Sequence, residues 1–178
     1  MTVQEDVRGR LRALVRDVPD FPRPGIVFRD ITGILRDASA FADAVDAMAA
    51  PFAGEAITAV AGIESRGFIL GAAVALRLDT GFVPVRKEGR LPAERIAAAY
   101  ELEYGSAVLE VHSDAMRPGD RVLIVDDLLA TGGTAAATAS LIERLGAEVA
   151  GFAFLIELGR LRGAERIGAH RHVALLTL

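Results

Sequence analysis

The sequence predicts an α/β fold, a central, mostly parallel twisted sheet with helices on both faces. Three observations predict it. Segments of strand-like and helix-like periodicity alternate from Ala38 onward. The run Val122 to Val125 is aliphatic at every position, as in a strand covered on both faces. That run leads through Asp126 and Asp127 into a turn without bulky side chains, Ala130 to Thr134, and then into the Ala-rich segment Ala135 to Leu145, which has the length and composition of a helix.

Taken in order, apolar Val7, Leu11, Leu14, Val15 and Val18 follow helical spacing and predict an amphipathic helix over Val3 to Val18. The segment Phe21 to Gly25 holds two prolines, which stop that helix, and a lid-like loop is expected after it. A helix over Ala38 to Phe52, with Phe41, Val45 and Met48 on one face, precedes a strand over Ile57 to Ile63. A helix over Gly67 to Leu78, a strand over Gly81 to Arg86, a strand over Arg121 to Asp126, the helix from Ala135 and a strand over Val149 to Ile156 continue the rhythm. Residues 87–111 depart from it, because the alternation in Ala107 to Val111 suggests an antiparallel ribbon around a Tyr-Gly-Ser turn. A short helix and a strand over Val173 to Leu178 complete the chain, with no catalytic group in that tail.

Composition bounds the function. A chain of 178 residues with 52% hydrophobic and 25% charged residues is expected to form one compact domain, residues 1–178. A net charge of −4 without a run of like charges argues against nucleic acid as a partner. The absence of cysteine rules out thiol catalysis and disulfides. The N-terminal stretch mixes acids with arginines and no window of about 20 apolar residues occurs, so no membrane role is expected and the expected location is the cytoplasm.

The turn carries the chemistry. Backbone N–H groups at a helix start have no intrahelical acceptor and lie at the positive end of the helix dipole, so a phosphate satisfies them. Gly132 and Gly133 allow close approach, while Thr131 and Thr134 add hydroxyls. The glycine-lysine phosphate loop of NTPases and the dinucleotide glycine pattern are both missing here, which argues against ATP or NAD chemistry. Two carboxylates beside a phosphate would repel it, so Asp126 and Asp127 are expected to face something else. The 2′ and 3′ hydroxyls of a ribose suit them, provided that the chain turns at this point. The plainer alternative is a turn-capping Asp127 beside a solvated Asp126. Further upstream, Glu64-Ser65-Arg66 repeats a strand end opening a helix, with a cation added that can grip a diphosphate in bidentate fashion. Arg86, Lys87 and Arg90 form a second basic group at the next strand end.

Five motifs in order, Asp20 to Ile31, Glu64 to Phe68, Val85 to Pro92, Leu102 to Gly105 and Asp126 to Thr134, make the chain resemble the type I phosphoribosyltransferases, and among them those that use adenine. The likeness covers nearly the whole length. Ala130 and Gly133 stand where many 6-oxopurine members carry a carboxylate and a Lys, which sets the hypoxanthine and guanine enzymes as the first alternative. A non-catalytic phosphoribosyl-binding regulator is the second.

The resemblance implies transfer of a phosphoribosyl group from phosphoribosyl pyrophosphate to adenine, giving AMP and pyrophosphate in purine salvage. Asp126, Asp127, Ala130, Thr131, Gly132, Gly133 and Thr134 are then expected to bind the ribose and 5′-phosphate. Glu64, Ser65, Arg66, Arg86, Lys87 and Arg90 are expected at the pyrophosphate; members of the family often hold a strained non-proline cis peptide near this Ser, a conformation that the sequence leaves open. Arg90 replaces the family's usual Lys. Val27, Phe28, Arg29 and Leu128 are expected at the adenine, where Phe28 could equally be an ordinary core residue. Glu103 is the candidate for proton transfer and Tyr104 closes the lid. A hood over about residues 1–35, a flexible lid over about 87–111, a magnesium ion held mainly by substrate and water, and a homodimer are also implied.

Overall fold

The computed structural model describes residues 3–101 and 106–178. Two compact units emerge, one ending at Ala47 and one running Met48–Leu178.

The N-terminal unit holds α1 (Val3–Leu14), the strand pair β1 (Arg16–Pro19) and β2 (Val27–Asp30), α2 (Thr32–Arg36) and most of α3 (Ala38–Ala49). The first helix is four residues shorter than its periodicity predicts. Val15 and Val18 fit helical spacing, but here the chain has turned and β1 pairs antiparallel with β2, Val18 opposite Phe28. Local spacing does not fix where a helix ends, and here the long-range pairing with β2 takes the chain out of the helix after Leu14. The expected lid-like loop is therefore, in its first part, the connection of a hairpin.

The larger unit is a seven-stranded sheet in the order β5-β6-β4-β3-β7-β8-β9. Its strands are β3 (Ala59–Ile63), β4 (Gly81–Lys87), β5 (Arg95–Glu101), β6 (Ser106–His112), β7 (Arg121–Leu129), β8 (Glu148–Glu157) and β9 (His172–Thr177). The pairs from β4 through β3, β7 and β8 to β9 are parallel. The ribbon β5–β6 adds the antiparallel edge, joined by Arg86 opposite Glu110. Helix α4 (Arg66–Arg77) connects β3 to β4, and α5 (Gly133–Arg144) connects β7 to β8. These crossovers run in opposite directions from the sheet centre, so right-handed connection puts the helices on opposite faces. A short α6 (Gly163–Arg166) precedes the last strand.

The fold class is thus as the alternation predicts. The core lies between sheet and helices, around Val60, Leu70, Leu123, Ile124, Leu141 and Phe152, each fully buried. Each such side chain contributes roughly 1.5–3 kcal/mol by leaving water. One boundary matters for function. β7 does not stop at Asp126 but continues to Leu129, with Leu128 opposite Ile156 on β8. The apolar run of β8 holds the strand straight through its two acids.

Candidate functional site

Three neighbouring parallel strands, β4, β3 and β7, bring their C-terminal ends to one edge of the sheet, the position where ligands of open α/β sheets bind. β3 delivers Glu64, Ser65 and Arg66; β4 delivers Arg86 and Lys87, with Arg90 just beyond; β7 delivers Asp126, Asp127 and the turn. Residues far apart in the chain are gathered because strand order differs from sequence order.

The turn after β7 has the expected geometry. Gly132 sits at φ +78°, a left-handed conformation that L side chains rarely adopt, and α5 starts at Gly133 with no side-chain cap. The helix starts two residues earlier than composition suggests, so Thr134 lies in its first turn. Asp126, Leu128, Phe154 and residues 129–135 enclose a cavity of about 50 Å³. That is far below the several hundred Å³ of a drug-sized pocket and suits one small group. A Cβ on Gly132 would meet the Gly163 carbonyl oxygen at 2.4 Å, and one on Gly163 would meet that of Ala130 at 2.2 Å. The C-terminal tail, in which no site residue is expected, thus supplies the wall of the turn.

The two acids do not lie on a bend. Both nevertheless contact the start of α4. Asp127 is buried and its Oδ2 accepts a hydrogen bond from Arg66 Nε at 2.5 Å. Asp126 Oδ1 accepts from the Asp127 backbone N–H at 2.9 Å and lies 2.6 Å from where a Cβ on Gly67 would be. Burial of its carboxyl group, and next the charge of Asp127, push the Asp126 pKa well above the ordinary value. The capping and solvated roles of the plainer alternative are not what these contacts describe.

On the neighbouring strand ends the guanidinium groups of Arg86 and Arg90 are paired with an acid. Glu64 accepts from Arg86 Nε at 3.2 Å and from the Lys87 backbone N–H at 3.1 Å, and its other oxygen lies 2.9 Å from Arg90 Nη1. Glu64 therefore contacts the basic group directly. Ser65 adopts φ +84° and ψ −119°, a strained conformation for a residue with a Cβ. The peptide bonds around Ser65 are trans; among the described residues the cis peptide is Phe21–Pro22. The backbone strain at Ser65 lies in φ.

In the N-terminal unit, Val27, Phe28 and Arg29 lie on β2. Val27 is exposed, and Phe28 is half-buried with its ring edge-on to Phe21 at 5.2 Å, so it is not a core residue. Arg29 Nη1 lies 2.5 Å from Asp17 Oδ1. The hydrogen bond from Arg29 leads the effects that hold the Asp17 carboxyl below its usual range. Leu128 lies instead on β7, in the wall of the phosphate-sized cavity. Glu103 and Tyr104 fall outside the described residues. Sequence reasoning missed Asp17, Gly163 and a buried Glu110 on β6, whose contacts span long sequence separations and leave no local pattern. Among the described residues no three His, Cys, Asp or Glu side chains form a metal cage.

A phosphate-sized turn, a pair of acids and a basic cluster thus lie together on adjacent strand ends. Comparison with known proteins gives the family. The family model of the phosphoribosyl transferase domain matches residues 32–174. The adenine phosphoribosyltransferase of Myxococcus xanthus is 56% identical over 94% of this chain and 91% of its own. A crystal structure of the enzyme of that name from Rhodothermus marinus superposes with a TM-score of 0.95 at 52% identity, covering 98% of this chain and 99% of the other. The Saccharomyces cerevisiae enzyme, complexed with an imino-altritol bisphosphate and adenine, gives a TM-score of 0.91 at 40% identity over 97% and 99%. The chain belongs to the phosphoribosyltransferase family, within its adenine phosphoribosyltransferase branch.

Proposed function

We propose that the protein transfers the 5-phosphoribosyl group of phosphoribosyl pyrophosphate to adenine, forming AMP and pyrophosphate in purine salvage. The observation that carries this reading is the convergence of Arg66, Asp127 and the Thr131–Thr134 turn at the ends of two adjacent strands. Relatives more than half identical over most of the chain carry the adenine enzyme's name, and the yeast relative's bound adenine supports the choice of base.

The turn N–H groups and the Thr131 and Thr134 hydroxyls hold the 5′-phosphate. Asp126 and Asp127 accept from the ribose hydroxyls. Arg66, Arg86, Lys87 and Arg90 take the diphosphate, so that charge developing on the leaving group meets preplaced cations. Val27 supplies backbone hydrogen bonds to adenine, Phe28 packs on it, Arg29 reaches a ring nitrogen and Leu128 borders it. Glu103 handles the proton that the attacking ring nitrogen loses, and Tyr104 closes the lid over residues 87–111, which excludes water from a sugar that would otherwise hydrolyse.

Magnesium fits this donor set, because the carboxylates present are hard oxygen ligands and the diphosphate offers more. It would be held mainly by diphosphate and ribose oxygens and by water, with few protein ligands. When bound it neutralises charge on the leaving diphosphate. The two units act as one transferase domain, the N-terminal segment serving as hood, and two copies assemble as a homodimer. No helix of the described residues is long and apolar enough to cross a membrane, and we place the enzyme in the cytoplasm.

The test is AMP formation from adenine, phosphoribosyl pyrophosphate and magnesium, with each omitted in turn and hypoxanthine offered in place of adenine. AMP only in the complete mixture is expected. Faster reaction with hypoxanthine would make this a 6-oxopurine enzyme, and no reaction with either base would leave a binding protein.

A further inference from the structure

Three polar side chains are buried among the described residues: Asp127 at the site, Thr138, which bonds back to the Thr134 carbonyl within α5, and Glu110 on β6. Glu110 is the one that the transfer reading does not use. A buried carboxylate is costly unless both oxygens are bonded, and an apolar residue would serve a strand core at least as well. Its partners explain its presence. Glu110 Oε1 accepts from Arg95 Nε at 2.9 Å, and Oε2 accepts from the Gly89 backbone N–H at 3.0 Å.

Gly89 lies between Lys87 and Arg90 at φ +75°, with nothing within 4 Å of a would-be Cβ. It is therefore the backbone conformation, not packing, that Glu110 fixes. The rest of the loop is tied down by the same network. The Glu88 N–H reaches the Val108 carbonyl at 3.1 Å, and Arg95 Nη1 reaches the Ala93 and Leu91 carbonyls at 3.3 and 3.5 Å. Arg90 in turn accepts at its carbonyl from Arg86 Nη1 at 2.8 Å. A chain of bonds thus runs from Glu110 through Gly89 and Arg90 to Arg86.

We infer that Glu110, with Arg95, is a positioning residue for diphosphate recognition: it sets the 88–91 loop, and through it places the guanidinium groups of Arg90 and Arg86 against the diphosphate. Resting on the transfer reading, the inference concerns how one end of that site is held. Glu110 touches no substrate. Its effect appears in the substrate that carries a diphosphate and not in adenine.

The experiment measures KM for phosphoribosyl pyrophosphate and for adenine, pyrophosphate binding by calorimetry, and Tm, in the full-length protein and its variants Glu110→Gln and Arg95→Met. Loss of one charge-assisted bond predicts that KM for phosphoribosyl pyrophosphate and Kd for pyrophosphate rise about tenfold. KM for adenine stays within about twofold. Arg95→Lys, which keeps the charge, recovers part of the loss. The inference is overturned if both KM values rise together with a fall in Tm, which marks a merely structural residue, or if pyrophosphate binding is unchanged. Should Glu110→Gln not fold, Arg95→Met decides alone, since Arg95 is 41% exposed. An unmodified protein that forms no AMP contradicts the transfer reading, while the pyrophosphate titrations still decide this one.

Discussion

The Thr131–Thr134 turn and the basic strand ends around Arg66 and Arg86 are both suited to anions, yet they achieve it differently. The turn is built from backbone and glycine, walled by Gly163, and contains no cation. The basic region is built from long side chains, and Arg66, Arg86 and Arg90 already hold carboxylates, Asp127 and Glu64. A phosphate entering the turn meets dipoles fixed in advance. A diphosphate entering the basic region must compete with ion pairs whose carboxylates are largely buried while their guanidinium groups stay partly exposed. The first kind of site fails when its shape is altered, the second when a charge is removed.

The largest effect is therefore expected from shape. Gly132→Val forces a β-branched residue into φ +78° and against the Gly163 carbonyl, so kcat/KM for phosphoribosyl pyrophosphate should fall by more than about a thousandfold in an AMP assay. Activity within tenfold of the parent would show that the turn is not the phosphate site. Removing a charge comes next. Arg66→Ala should lower the same parameter about a hundredfold while AMP affinity falls less than about fivefold, because AMP has no diphosphate. Equal losses in both would place Arg66 elsewhere. Asp127→Asn weakens the diol contact and releases Arg66 together, and we expect KM for phosphoribosyl pyrophosphate to rise about tenfold with KM for adenine little changed. Steady-state kinetics with each substrate varied separately would reveal the opposite pattern.

The smallest effect concerns stability. Because the Asp126 pKa is raised on folding above its ordinary 3.8, the folded state holds the proton over a pH range where the unfolded chain has lost it. Stability contributed by this group falls as pH rises through that range. Asp126→Asn removes the loss, so Tm should increase by a few degrees at pH 7, with the difference narrowing toward pH 4. A lower Tm at pH 7 would mean that the carboxylate is stabilised by partners other than those seen.

Sequence made the framework legible wherever chemistry was local. The unbroken aliphatic run Val122 to Val125 announces a doubly covered strand, and Thr-Gly-Gly-Thr announces an anion turn, because both depend on adjacent residues. The continuation of β7 to Leu129 was hidden, since two acids in a row resemble a strand end and only pairing with Phe154 and Ile156 of β8 carries the strand through them. The end of α1 was hidden for a related reason: Val15 and Val18 continue the helical spacing, and only the pairing of β1 with β2 takes the chain out of the helix. Gly163 behind the turn and Glu110 beneath Gly89 were invisible, because each acts on residues more than 20 positions away. The strain at Ser65 belongs to the tertiary setting of β3 and α4 and has no sequence signature beyond its place after a strand.

Determining the structure with bound AMP tests the central claim most directly. The account predicts the 5′-phosphate within hydrogen-bonding distance of the backbone N–H groups of residues 131–134, with the ribose hydroxyls on Asp126 and Asp127. A phosphate seated instead among Arg66, Arg86 and Arg90, with the turn untouched, would contradict it.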